Sequence, residues 1–121
     1  TRLSGGGGLA TTINDYGKFA QMLLNGGELN GVRVLEESTV KMIMSDQMPG
    51  TTTYTEGMGY GLGGQVNLET GVYGWTGMAS TLFRADPKNN MVGLVFTQYV
   101  PHMGVSFAYE YWELVQKSLV E

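Results

Sequence analysis

The chain has 121 residues, 42% hydrophobic and 15% charged, proportions that suit one globular domain with a core of its own. Its formal net charge of -4, with no Lys/Arg cluster, excludes a general nucleic-acid binder. Without cysteine there are no disulfides or thiolate metal sites, the single His102 does not make a His-based metal site, and no apolar run reaches membrane-spanning length.

In chain order, Ser4 to Leu9 is a glycine-rich entry loop. No Lys-Ser/Thr follows the Gly5 to Gly8 run, so it reads as a turn and not as a phosphate-cradling loop. Thr12 with Asp15 three positions on predicts a capped helix start, and Ile13, Tyr16, Ala20, Leu23 and Leu24 fall on one helical face. Asn25-Gly26-Gly27 stops that helix. Val32 to Leu35 is a brief extended piece. A second helix is predicted from about Glu37 to Ser45, with Val40, Ile43 and Met44 inward and its cap open between Glu36 and Ser38.

Residues 48–56 read as a polar surface loop. Gly57, Gly59, Gly61 and Gly63 then alternate with Met58, Tyr60 and Leu62, predicting a strand with one all-glycine face against which another backbone or a helix packs. Glu69-Thr70-Gly71 is a turn, and Val72 to Thr76 a further strand. Ala79 to Ala85 and Met91 to Tyr99 form a hairpin around Asp86-Pro87-Lys88-Asn89-Asn90. Ala108, Tyr111, Trp112, Val115 and Leu119 mark a last amphipathic helix. The order predicts an α+β fold, an antiparallel sheet packed with helices.

The segment Tyr73-Gly74-Trp75-Thr76-Gly77-Met78 carries the chemistry. Glycines on both sides of Trp-Thr allow a close backbone approach, and an exposed N–H just after such a strand suits an oxyanion. The alternative for Trp75 is a sheet-packing aromatic. Tyr54, Tyr60 and Tyr73 read as core or rim residues, His102 as a loop residue, and Ser106 as a helix cap.

Several segments, taken in order, resemble the C-terminal part of the serine β-lactamase and penicillin-binding-protein-like superfamily: Ser4-Gly5-Gly6-Gly7-Gly8-Leu9 leading into Thr11-Thr12, Asp15 and Phe19-Ala20-Gln21-Met22-Leu23; Leu35 with Thr39-Val40; Tyr60-Gly61-Leu62-Gly63; Gly74-Trp75-Thr76-Gly77; and Phe83 with Asp86-Pro87 before Val95-Phe96-Thr97-Gln98. The look is nearest to class C β-lactamases and family VIII carboxylesterases. The resemblance implies the C-terminal portion of a β-lactamase-like (α/β plus all-α) fold, with residues 1–121 an incomplete domain. The start at Thr1, without Met, fits a piece of a longer enzyme.

By the same resemblance, Trp75-Thr76-Gly77 stands where the family has Lys-Thr-Gly. Met78, through its backbone N–H, and Gly77 would support the oxyanion, while Trp75 and Thr76 would contact substrate. The Ser-x-x-Lys nucleophile and the Tyr-x-Asn element are read as absent from the chain and expected upstream, in the missing N-terminal part of the same fold; Asn14-Asp15-Tyr16 runs in the wrong order. Trp in place of Lys, as in the Trp-Gly-Gly variant of the esterases, cannot pair with a substrate carboxylate and favours small esters over β-lactam-like substrates. No cofactor or metal is implied. A non-catalytic binding or structural module is the rival, and the isolated chain is expected to be inactive and to self-associate through an uncovered strand edge.

Overall fold

The computed structural model describes residues 7–50, 55–100 and 107–119. Tyr54, His102 and Ser106, together with Ser4 to Gly6 of the entry loop, lie outside them.

Helix α1 spans Ile13–Leu24 and is capped by Thr12, whose Oγ1 accepts from the Asp15 N–H at 3.2 Å while its hydroxyl donates to the Asp15 carboxylate at 2.9 Å. A Schellman motif closes the helix. Gly26 and Gly27, both at positive φ, donate to the Leu23 and Met22 carbonyls, satisfying the last turn. Strands β1 (Glu28–Leu29) and β2 (Val32–Arg33) follow as a short hairpin turning at Asn30-Gly31, both with positive φ. Only the second of these was expected. Asn-Gly between two strands is a strong hairpin signal, and it was present in the sequence.

Helix α2 runs Glu37–Ile43 with Glu36 at its N-cap, making no side-chain cap bond. Its carboxyl end is held by the sheet. The Ile43 carbonyl accepts from the Leu62 N–H at 3.0 Å, and Asp46 accepts from the Tyr60 N–H at 3.0 Å.

Five antiparallel strands form one sheet in the order β3 (Met58–Tyr60), β4 (Gln65–Asn67), β5 (Tyr73–Thr76), β6 (Leu82–Asp86) and β7 (Met91–Val95). The expected glycine-alternating strand is shorter than predicted. Gly57 and Gly63 have positive φ and serve as turn residues, so only Gly59 lies within β3. The close-packing expectation does hold: a Cβ at Gly59 would lie 2.7 Å from the Asp46 carboxyl carbon, and one at Gly61 would overlap the Ile43 carbonyl. The following hairpin is also tighter than predicted, because Ala79 and Ser80 belong to a turn and residues 96–99 leave the ladder.

The sheet separates two cores. On one face Tyr73, Phe83, Ala85 and Val66 pack against Ala20, Met22 and Leu23 of α1 and Val40 of α2. On the other, Val72 and Leu82 meet Ala108 and Trp112 of helix α3 (Phe107–Lys117), with Met91 and Val95 beside them. Gly93 makes the second contact possible, since a Cβ there would sit 2.6 Å from the Trp112 ring. Tyr111 and Leu119, expected on the inward stripe, are 38% and 40% exposed. The whole is the predicted α+β arrangement of an antiparallel sheet packed with helices.

Candidate active site

Strand alternation decides what β5 offers. Tyr73 and Trp75 point to the α1 face, since Trp75 pairs with Phe83 and Tyr73 with Ala85. Tyr73 is buried, and its hydroxyl donates to the Leu62 carbonyl at 3.0 Å. Trp75, one step beyond the helix cover, is 45% exposed, with its ring edge-to-face on Tyr60 at 5.7 Å between centroids.

Trp75, Thr76 and Gly77 line one cleft of about 420 Å³. Its other walls are Leu9 to Thr11 ahead of α1, Tyr16, Thr81 to Phe83, and Phe96 to Gln98. Among the described residues no cation lines it. Burial raises the Tyr16 phenol above its ordinary value, which keeps it neutral and makes it a poor proton acceptor. Tyr16 instead packs edge-to-face on Phe83 and Phe96.

After β5 the chain reverses. The Gly77 N–H donates to the Thr81 carbonyl and the Ser80 N–H to the Gly77 carbonyl. Ser80 takes a φ of 59°, uncommon for a residue with a Cβ, and its hydroxyl donates to the Tyr99 carbonyl at 3.0 Å. The Thr97 hydroxyl donates to the Ala79 carbonyl. Inside this tethered turn the Met78 N–H has no acceptor among the described residues, and its side chain is 73% exposed. Thr76 borders the cleft, but it pairs with Leu82 on the α3 side and its hydroxyl lies 3.5 Å from that of Tyr109.

One pattern match was passed over in the sequence. Ser38-Thr39-Val40-Lys41 satisfies the Ser-x-x-Lys spacing. It sits on α2, with Ser38 and Lys41 exposed, no hydrogen bond between them, and neither lining the Trp75 cleft. Spacing alone finds the pair; position in the fold removes it from the chemistry. Among the described residues no group of three or more His, Asp or Glu side chains is placed to hold a metal ion, and no helix is long and apolar enough to cross a membrane.

The beta-lactamase family matches residues 1–116, and the chain belongs to that family. It thereby falls in the serine β-lactamase and penicillin-binding-protein-like superfamily of serine hydrolases. The chain is similar to an uncharacterised protein of Mycobacterium tuberculosis (strain CDC 1551 / Oshkosh), 29% identical over 123 residues that cover 85% of this chain and 31% of the relative. It is also similar to a provisionally named D-alanyl-D-alanine carboxypeptidase of Escherichia coli (strain K12), 31% identical across 86% of this chain and 25% of the relative. A protein of the same provisional name from Salmonella newport (strain SL254) is 30% identical over the same shares. The chain thus spans between 25% and 31% of the length of these relatives.

Proposed function

We propose that the chain is the C-terminal portion of a serine hydrolase that works through an acyl-enzyme on small carboxylic esters, with its nucleophile supplied by sequence outside these 121 residues. The observation that carries the reading is Trp75, a half-exposed indole where the family pattern has a cation, on the wall of a cleft without a cation among its described residues. A charged substrate carboxylate would lose its water there with nothing to pair against, whereas a neutral acyl or alcohol group packs on the ring.

In this reading the serine oxygen of the missing part attacks the ester carbonyl, the alcohol leaves with the transferred proton, and water then releases the acid. Two N–H groups would hold the oxyanion, that of Met78 and that of the nucleophile itself. The unpaired state of the Met78 N–H, beside a Gly77 N–H already committed to Thr81, supports this choice of donor. The part that supplies the serine would also cover the free side of β7, which among the described residues pairs only with β6.

Trp75→Lys in the complete protein tests the reading. Turnover should move from neutral esters towards carboxylate-bearing substrates, including β-lactam-like ones. If ester turnover and β-lactam affinity both stay as they were, Trp75 is not a wall of the substrate pocket. The alternative, a non-catalytic module of the same fold, draws on the absence of any serine from the described cleft lining. Assay of the 121-residue chain with an activated ester should give background rates only; saturable turnover sensitive to a serine-directed inhibitor would mean that the nucleophile lies within it. A complete protein with no turnover on esters or β-lactams would instead support the module.

A further inference from the structure

The opposite face of the sheet holds a second hollow, of about 250 Å³, that the hydrolase reading does not use. We infer that it is a binding site for a small carboxylate with an apolar body, gripped by the guanidinium of Arg84.

Arg84 lies mid-strand in β6, on the α3 face with Leu82. Its ladder neighbours on both sides are glycines, Gly74 and Gly93, so no flanking side chain covers it. The side chain is half-buried and yet makes one hydrogen bond, from Nη1 to the Phe83 carbonyl at 2.8 Å. No carboxylate reaches it among the described residues. Of five N–H donors on a guanidinium, most have no acceptor among the described residues, so those turned into the hollow are left to water or to an incoming anion. Burial pulls the Arg84 pKa down, with the Tyr109 hydroxyl acting weakly the other way, as expected of a cation held short of a counter-charge.

The other polar walls are neutral and can supply donors beside the guanidinium. Gln65 and Gln116 line the hollow with side-chain amides that have no partner among the described residues. Asn67 spends its oxygen on the Glu69 and Thr70 N–H groups, at 3.0 and 2.8 Å, which leaves its NH₂ as a donor. Among the described residues no Asp or Glu lines the hollow. The one cation among the described residues of this wall is a guanidinium, whose fork matches a carboxylate, and the amide NH₂ groups can add further donors. Met58, Val72 and the Trp112 ring supply an apolar floor for the rest of the ligand. The space exceeds several times the roughly 30 Å³ share of one water molecule.

The carboxylate has two possible sources, a free small acid or an acidic side chain of a longer polypeptide, and one experiment separates them. The 121-residue chain, folded by circular dichroism and held at a concentration where sedimentation shows a monomer, is titrated with butyrate at constant ionic strength, following the Trp112 indole N–H and the Arg84 Nε–H by NMR. Both should shift saturably while the Trp75 indole stays put, and Tm should rise. Arg84→Gln should weaken binding about ten- to a hundredfold, the worth of a charged hydrogen bond. It should also fold with a ligand-free Tm no lower than the parent, because it removes an unpaired cation. Butanol or inorganic phosphate binding as well as butyrate would overturn the proposal, as would a response unchanged in Arg84→Gln or no saturable shift at all. The same titration of the complete protein then locates the source. Retained butyrate binding indicates a free acid. Lost binding with the Arg84 Nε–H already at its bound position indicates an internal carboxylate. Lost binding without that shift overturns the proposal.

Discussion

Trp75 and Met78 divide their proposed work between a side chain and a backbone group, and they should respond differently to substitution. Trp75→Lys changes the wall and gives up the Tyr60 ring contact, worth roughly 1 kcal/mol, so a small loss of stability should accompany the altered substrate preference. Met78→Pro deletes the free N–H itself. With the fold intact by circular dichroism, kcat in the complete protein should fall on the order of 10²- to 10³-fold. A smaller drop would move the oxyanion donor to another residue. Ser38→Ala is the matching control: its hydroxyl lies on α2 outside the cleft, and ester turnover should be unchanged despite the Ser-x-x-Lys spacing. Of the site, Trp75 and Gly77 were readable as residues of one motif. The opposite facing of Thr76 became readable only once the register of β5 against β6 was known, since one step along a strand exchanges the two faces.

At the scale of elements, the start and stop of α1 were legible because a capping threonine, an apolar stripe and a glycine stop agree, although Ile13, expected on the inward face, is exposed and Met22, outside the expected stripe, is buried. Thr12→Ala should cost about 1 kcal/mol in urea denaturation by leaving the Asp15 N–H without its acceptor. Hydrogen bonds from Lys18 and then Thr12 hold the Asp15 carboxyl below the ordinary carboxylate range. Its contribution is therefore present above the unfolded-state value and is lost as pH falls through the lower folded one. An NMR titration should place the Asp15 midpoint low and return it towards normal in Lys18→Met. The β-rich half was less legible. A Gly-x-Gly-x repeat imitates the two-residue period of a strand, yet two of those glycines are there for positive φ, which no pattern of residue types distinguishes from a flat glycine face. Ser80 likewise reads as a strand residue until its left-handed backbone is seen.

For the molecule as a whole, the antiparallel sheet among the described residues ends in β3 on one side and β7 on the other, and the apolar Met91–Val95 strand has one flank with no described partner. Open edges of this kind recruit further strands. Sedimentation of the 121-residue chain should show association rising with concentration, and a monomer at high concentration would argue against the missing-part reading.

The immediate neighbours Gly74 and Trp75 also differ in how freely they can change. A side chain at position 74 would collide with the Phe83 carbonyl, a backbone atom that cannot step aside, while Trp75 stands at the rim with nearly half its surface in solvent. In a saturation library, position 74 should return glycine alone, and position 75 a broad range of folded variants. If Trp75 is the pocket wall proposed above, substrate preference can diverge by single steps at one rim position, with no compensating change required in the sheet beneath it.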